Sequence, residues 1–549
     1  MNEIELVLLL MVVVTVLTPA AKALRVPYPI MLVVGGLVLA LIPGMPHIQI
    51  TPELVFLLFL PPLVFRAAFF TSVRDFRALL QPILSLAVVL VLITTVVVAV
   101  VLHWLVPQVG WPIAFAFGAI VSPPDAVAAA AVFRGLGVPR RIVTLLEVES
   151  LINDATALVA YRAALAATAV AFSAGGASIQ VVVVGAGGML VGLGVGMFGV
   201  WLLRRLNDPP VEITLSLLTP FAAYLPAEGL GLSGILATVA AGLYLGPRSP
   251  YMWGSEERIS ARAVWDMLVF ILNGLVFILI GLQLSAILPA LAGRSMFSLI
   301  GLGLVLSLTV IVVRLAWVFL DVYLVKRLTR FVWSAWISFY RRAAQHASEP
   351  CEPQVAAARP HWRETLVVGW AGMRGVVSLA VVLSLPEGTP ERSLLVFLTF
   401  FVILATLVGQ GLSLPLVIRA LGLAADNSIT AQQDLHARRS ATEAALLRIE
   451  QLRVEWPGHL PLLDALQAQY GHRVSHFGSA EDGTEGTDGN GASSADEEQE
   501  LLEHHLIRRA VLGAERRAVL DLKESGEIED TVWRQIERDL DLEELRMDA

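Results

Sequence analysis

Apolar runs of about 17 to 25 residues recur from the N-terminus to about Leu423, and they constrain this chain more than anything else in it. Each is long enough to cross a hydrocarbon core of roughly 30 Å as a helix. Only 16% of the residues are charged and 56% are hydrophobic, with a mean hydropathy of +0.72. A soluble globular chain carries roughly a quarter charged residues, so this sequence is built for lipid. The start, "MNEIELVLLLMVVV", has Glu3 and Glu5 where a secretory signal wants positive charge, although "AAKA" at 20–23 loosely resembles a cleavage site. The first run therefore reads as a membrane helix. A single cysteine, Cys351, excludes an internal disulfide framework and cysteine-based zinc or iron–sulfur sites.

The expected fold is all-α and polytopic, with about thirteen transmembrane helices. Their windows fall near 4–21, 28–43, 51–66, 81–105, 111–133, 142–171, 178–203, 212–226, 231–246, 262–287, 297–325, 363–385 and 393–419. The loops offer an independent check. One alternating set holds Lys22 and Arg25; Arg74 and Arg77; Arg134, Arg140 and Arg141; Arg204 and Arg205; and Arg248, Arg258 and Arg262, together with the long loop from Lys326 to Arg363. The other set holds only Arg294 and Arg392. By the positive-inside rule this places the N-terminus outside and the C-terminus in the cytoplasm of a multi-pass membrane protein.

Composition changes after Leu423. Residues 1–423 form the membrane domain, and residues 424–549 an acidic cytoplasmic domain with a net charge of about −14. Within the latter, "AQQDLHARRSATEAALLRIEQLRVEW" and the segment from "EQELLEHHL" to "LDLEELR" read as amphipathic helices. Between them an acidic, Gly/Ser-rich stretch near 478–498 reads as a disordered linker. Such a tail is either a self-packed appendage or a regulatory or dimer-contacting domain.

Ionisable groups inside a membrane are costly and mark function. The fifth window contains Asp125 directly after Pro123 and Pro124. The sixth contains Glu147, Glu149, Asn153, Asp154 and Arg162, and the twelfth contains Arg374 among Gly369, Gly372 and Gly375. Asp266, Arg314 and Asp321 lie nearer window ends, where a helix-end or snorkelling role is expected. On a helix, Glu147, Ser150 and Asp154 share one stripe, and Glu149 and Asn153 share the neighbouring one. Hard cations such as Na⁺ take oxygen ligands and a carboxylate also binds a proton, so cation and proton could compete for one place here. Polar glue between helices is the alternative, but three carboxylates within eight residues argue against it.

Two successive prolines at mid-span should break the fifth helix and free the carbonyls around Ala119 to Ser122 as cation ligands. The helix that resumes after them offers its positive dipole end to Asp125. "GWAGMRG" is a second interruption, seven windows later. An odd offset reverses direction across the membrane, as inverted repeats with two crossed broken helices require.

These motifs resemble those of the bacterial cation:proton antiporter-1 family, the sodium/proton exchangers. The resemblance rests on "SPPDAVAAAAVFRGLGVPRRIVTLLEVESLINDATALVAYR", "WDMLVFILNGLVFILIGLQL", "GWAGMRGVVSLA" and "ATLVGQGLSLPLVI", with the tail from "RRAVLGAERRAVL" to "LDLEEL" resembling the bacterial branch. It implies a homodimer, each protomer with a dimerisation domain and a mobile core domain, that exchanges Na⁺, with Li⁺ or K⁺ as alternatives, for H⁺ in pH and sodium homeostasis. By position, Asp154 would alternately bind cation and proton, with Ser150 as its companion ligand and Glu149 in or beside the site. Asn153 stands where electrogenic relatives have a second aspartate. Arg374 would stabilise the crossed helices by pairing with Glu149. The family often has "TDP" where this chain has "PPDA", so Asp125 matches but Pro124 could offer only its backbone carbonyl. Arg66 stands where many relatives carry an acidic residue, which removes support for an entrance or gating role there.

One exchangeable carboxylate with no intramembrane lysine beside it suggests one proton per cation and an electroneutral cycle. The partners expected are the monovalent cation, the proton, membrane lipid and a second copy of the chain, with no nucleic acid, no cofactor and no enzymatic activity. A cation channel lacks support because no filter-like repeat is present. An organic-anion transporter would use Arg162 and Arg374, against which the excess of mid-membrane carboxylates speaks. An intramembrane aspartyl protease would need Asp125 and Asp154 in local contexts that are absent.

Overall fold

The computed structural model describes residues 3–42, 55–133, 136, 138–169, 174–206, 208–287, 289–291, 294–322, 362–423, 428–476 and 494–548. Helices are the only regular elements among these described residues, which fall in two compact units: residues 1–252 with 263–425, and residues 253–262 with 426–549.

In the first unit the described part of each apolar window lies largely in helix, the fifth and twelfth windows in two helices each. The helices are α1 (Glu3–Ala23), α2 (Tyr28–Ala40), α3 (Val55–Phe69), α4 (Leu80–Leu105), α5a (Trp111–Val121), α5b (Ala126–Phe133), α6 (Arg140–Ala169), α7 (Ala174–Leu203), α8 (Pro209–Gly229), α9 (Gly234–Leu245), α10 (Ser255–Leu282), α11 (Met296–Leu320), α12a (Trp362–Trp370), α12b (Val376–Leu383) and α13 (Arg392–Ala420). Among the described residues, six helical stretches are long and apolar enough to cross a membrane: α4, Trp111–Phe133, Val183–Leu203, α10, α11 and α13. The charged loop from Lys326 to Arg363, apart from its last two residues, lies outside the described residues, as does Cys351.

Helices α3, α7, α8 and α9 pack as one group. Along α7, Gly188 and Gly192 sit so close to α9 that a methyl group at either would fall on the carbonyl oxygen of Ser233 or Ala237. Small residues at this spacing let backbones approach without a side chain between them. The indole of Trp265 ties α10 into this group, stacking on Phe65 at 5.5 Å and donating to Ser216 Oγ at 3.1 Å. Helices α4, α5a, α5b, α6, α11, α12a, α12b and α13 pack around one another, α1 packs on α2, and a continuous apolar core runs through both groups.

The second unit comprises α14 (Ser428–Glu455), α15 (Leu460–His476), α16 (Ser494–Ser525), α17 (Asp530–Asp548) and the segment 253–262, which includes the first turns of α10. The boundary after residue 425 lies close to the compositional break, but the inclusion of 253–262 was not legible in the sequence. The linker expected near 478–498 falls outside the described residues as far as 493, and α16 already includes 494–498. Ile449, Leu452, Leu463, Tyr470, Ile507 and Val511 form one apolar cluster here, and Leu512, Val519, Val532, Trp533 and Ile536 belong to another. A charged network runs beside them. Arg258 donates from Nε to Asp541 Oδ2 at 2.9 Å and from Nη2 to Oδ1, and Arg516 bridges Asp541 and Glu544 at 2.8 Å each.

Candidate functional site

The site is built where two helices break. Pro123 and Pro124 stop α5a at Val121, and residues 122–125 are non-helical until α5b resumes at Ala126. The glycines of "GWAGMRG" do the same to the twelfth helix, which is interrupted between Trp370 and Val376. The two interruptions touch. The Asp125 amide donates to Met373 O at 2.6 Å, and Gly375 lies so close to the Asp125 carboxylate that a side chain there would collide with it.

Each break leaves a helix C-terminus whose carbonyls have lost their partners and carry negative dipole charge. An arginine caps each one. Arg374 donates to Val121 O at 3.1 Å, to Ser122 O at 3.3 Å and to its own neighbour Gly372 O. Its backbone amide is held by Thr406 Oγ1 at 3.1 Å, within the π-helical turn Ala405–Gln410 of α13. Arg314 donates to Val368 O near the end of α12a at 3.2 and 3.4 Å. Both arginines are 1% exposed. At the other side of the first break, Asp125 Oδ1 accepts from the Val127 amide at 2.8 Å and so caps the N-terminus of α5b.

Helix α6 crosses beside this junction. Asn153 Nδ2 donates to Pro124 O at 3.3 Å, and Ser150 Oγ accepts from the Ala126 amide at 3.5 Å. Asp154 is 8% exposed and lies within Coulombic range of Asp125. Among the described residues nothing donates to its carboxylate, and Asn153 Oδ1, fully buried, is also without a partner. The arrangement therefore holds an uncommitted carboxylate and an uncommitted amide oxygen next to a junction whose own charges are compensated.

Three expectations change. Glu149 pairs with Arg314 rather than Arg374, through two bonds of 2.6 and 2.9 Å. The reason is geometric: the backbone carbonyls at the crossing take up the Arg374 guanidinium, leaving Glu149 to act on it only through space. Arg314 itself does not snorkel, because it sits on the buried stripe of Gly303, Ser307 and Val310. Asp321 is likewise buried and accepts from Ser85 Oγ at 2.8 Å, whereas half-exposed Asp266 pairs with Arg66. The carbonyls freed by the proline pair are largely occupied too. That of Ala119 accepts from Ser122, those of Val121 and Ser122 from Arg374, and that of Pro124 from Asn153. Glu147 is exposed, two turns before Asp154 on α6.

Comparisons with known proteins agree with this architecture. Residues 9–420 match the family model described as sodium/hydrogen exchanger, transmembrane. An uncharacterized Na⁺/H⁺ exchanger of Mycobacterium tuberculosis is 33% identical over 539 residues, covering 95% of this chain and 92% of its own. A sodium, potassium, lithium and rubidium/H⁺ antiporter of Bacillus pumilus is 34% identical over 441 residues, 77% of this chain and 62% of its own. The sodium proton antiporter of Methanocaldococcus jannaschii shares the fold, with a TM-score of 0.57 at 19% identity over 76% of this chain and 98% of that one. The chain is thus a membrane transporter that belongs to the sodium/hydrogen exchanger family.

Proposed function

We propose that this chain exchanges Na⁺, with Li⁺ and K⁺ as competing substrates, for H⁺ at a single site centred on Asp154. The observation that carries this reading is the Asp154 carboxylate itself, nearly buried and with no partner among the described residues. Such a group must take either a proton or a cation, since an isolated ionised carboxylate away from water is strongly disfavoured. Asn153 Oδ1 and Ser150 Oγ supply neutral oxygens beside it. Asp125 caps α5b and lends the site negative charge, and Pro124 positions Asn153 through its carbonyl.

The cycle proposed is electroneutral, one proton per cation. Glu149 is neutralised by Arg314 and Asp125 is committed to a helix N-terminus, so of these three acids it is Asp154 that remains free to change its ligand. The membrane potential acts only on net charge moved, so the exchange follows the ion gradients alone. Alternating access would come from rocking the broken-helix group against the group of α3, α7, α8 and α9. We place about thirteen spans in the membrane, as inverted repeats, with the N-terminus outside and the acidic domain of residues 424–549 in the cytoplasm, in a homodimer serving pH and sodium homeostasis.

Everted vesicles loaded with a pH-sensitive dye test this. Addition of Na⁺, Li⁺ or K⁺ should collapse a preformed proton gradient with the wild-type chain. Asp154→Asn should abolish the response and Asp125→Asn should weaken it. Wild-type dequenching that survives Asp154→Asn would remove the central assignment. A clear effect of an imposed membrane potential on the reconstituted rate would remove the electroneutral cycle.

A further inference from the structure

The second unit holds a buried acid that the exchange cycle does not use. Glu515 of α16 is 3% exposed and accepts a hydrogen bond from Tyr470 Oη of α15, itself 3% exposed, at 3.2 Å. Glu543 of α17 faces it as a like charge, and among the described residues the cation acting on it, Arg473 of α15, is already bonded to Glu543 at 3.0 Å. Helix α14 brings Ala445, Ile449 and Leu452, with Leu446 packed against them, to the apolar cluster that holds Tyr470. On its own helix, Arg516 is committed to Asp541 and Glu544. Tyr470, Arg473 and Glu543 also line a cleft of about 530 Å³, through which water can reach this cluster.

From this cluster we propose a second proton-binding site, in the cytoplasmic domain, formed by Glu515 with Tyr470 and Glu543 and read out through α17. Burial first, and the Glu543 charge second, push the Glu515 carboxyl up to about 8, so it exchanges its proton near neutral pH. Ionisation would place two carboxylates face to face in an apolar setting, and the segment of α17 around Glu543 would have to give. The same turns of α17 carry Asp541, Glu537 and Glu544. Asp541 holds Arg258 bidentately, Glu537 lies 3.9 Å from Arg258, and Glu544 bonds Ser255. These two residues begin α10, which runs on unbroken to Leu282. A proton on Glu515 is thus linked to the grip on α10 by one helix.

The regulatory part of this inference rests on the exchanger reading; the proton site does not. Hydrogen–deuterium exchange on the full-length chain in detergent tests the site without transport. Between pH 6.5 and 9, wild-type α15–α17 peptides should lose protection relative to Glu515→Gln measured at the same pH. Tyr470→Phe removes a bond to the ionised form and should move the midpoint to higher pH. Glu543→Gln removes the like charge and should move it lower. Equal protection of wild type and Glu515→Gln at every pH, or shifts of the opposite sign, overturns the site. In proteoliposomes with pH varied on the tail side, Glu515→Gln should keep the wild-type pH 6.5 rate at pH 9. Wild-type exchange with an identical pH profile in the variant overturns the regulatory link. Absence of exchange by the wild type would instead count against the exchanger reading.

Discussion

Replacing Arg314 with alanine should be among the most damaging single changes in the membrane unit. The side chain makes two bonds to Glu149 and two to Val368 O, and its loss leaves Glu149, 0% exposed, as a bare carboxylate. Deleting one partner of a buried pair costs roughly 3–5 kcal/mol, more than the pair itself contributes, because the other charge stays behind. For a cooperative unit of roughly 400 residues, an unfolding entropy of about 2 cal/mol/K per residue converts this into a Tm loss of about 3–6 °C. Tryptophan fluorescence during heating of the detergent-purified protein measures it. The decisive form is a double-mutant cycle. Glu149→Gln combined with Arg314→Met should restore most of the loss, since both charges are then gone, with a coupling of about 2 kcal/mol or more. Glu149→Gln combined with Arg374→Ala should couple less, because Arg374 bonds backbone carbonyls. Stronger coupling of Glu149 to Arg374 than to Arg314, or an unchanged Tm in Arg314→Ala, refutes the pairing.

Three further outcomes follow from the geometry. Gly375→Ala should abolish exchange while the chain still reaches the membrane, because the methyl group collides with the Asp125 carboxylate at the helix crossing; vesicle assay against expression level checks this. Gly192→Val should lower Tm by forcing α7 off the Ala237 backbone, and a Tm within 1 °C of wild type, roughly the resolution of a thermal scan, would contradict the close seam. Glu515 binds its proton more tightly folded than unfolded. Its contribution is therefore fully present below pH 4.5 and lost as pH rises through about 8, on the order of 5 kcal/mol in all. The tail transition should fall in Tm across this window in wild type, and Glu515→Gln should flatten the fall.

The sequence announced the breaks because their chemistry is local. Two prolines in succession, or a run of glycines around an arginine, disrupt a helix whatever surrounds them. The stripe of Ser150 and Asp154 was equally legible, since helical spacing alone puts them on one face. What escaped was partnership at long range. Arg314 lies 165 positions from Glu149 and near the end of an apolar window, where snorkelling is the ordinary outcome. A signal was present all the same: Gly303, Ser307, Val310 and Arg314 follow one another at spacings of four, three and four, which marks an inward stripe of small and polar residues. The sharing of the first turns of α10 with the acidic domain had no such signal, because Arg258 and Asp541 belong to segments that composition assigns to different worlds.

The capping of the proline break has one more consequence, for ion size. In channel filters, rings of backbone carbonyls replace an ion's hydration shell and so select among ions of one charge. Here the carbonyls of Ala119, Val121, Ser122 and Pro124 already accept hydrogen bonds from the protein. At the proposed site each of these carbonyls keeps at most one lone pair for a cation, so side-chain oxygens and retained water would make up more of its shell. Oxygens on rotatable arms adjust to a large ion nearly as readily as to a small one. If the proposed site holds, it would sort ions by charge more sharply than by radius.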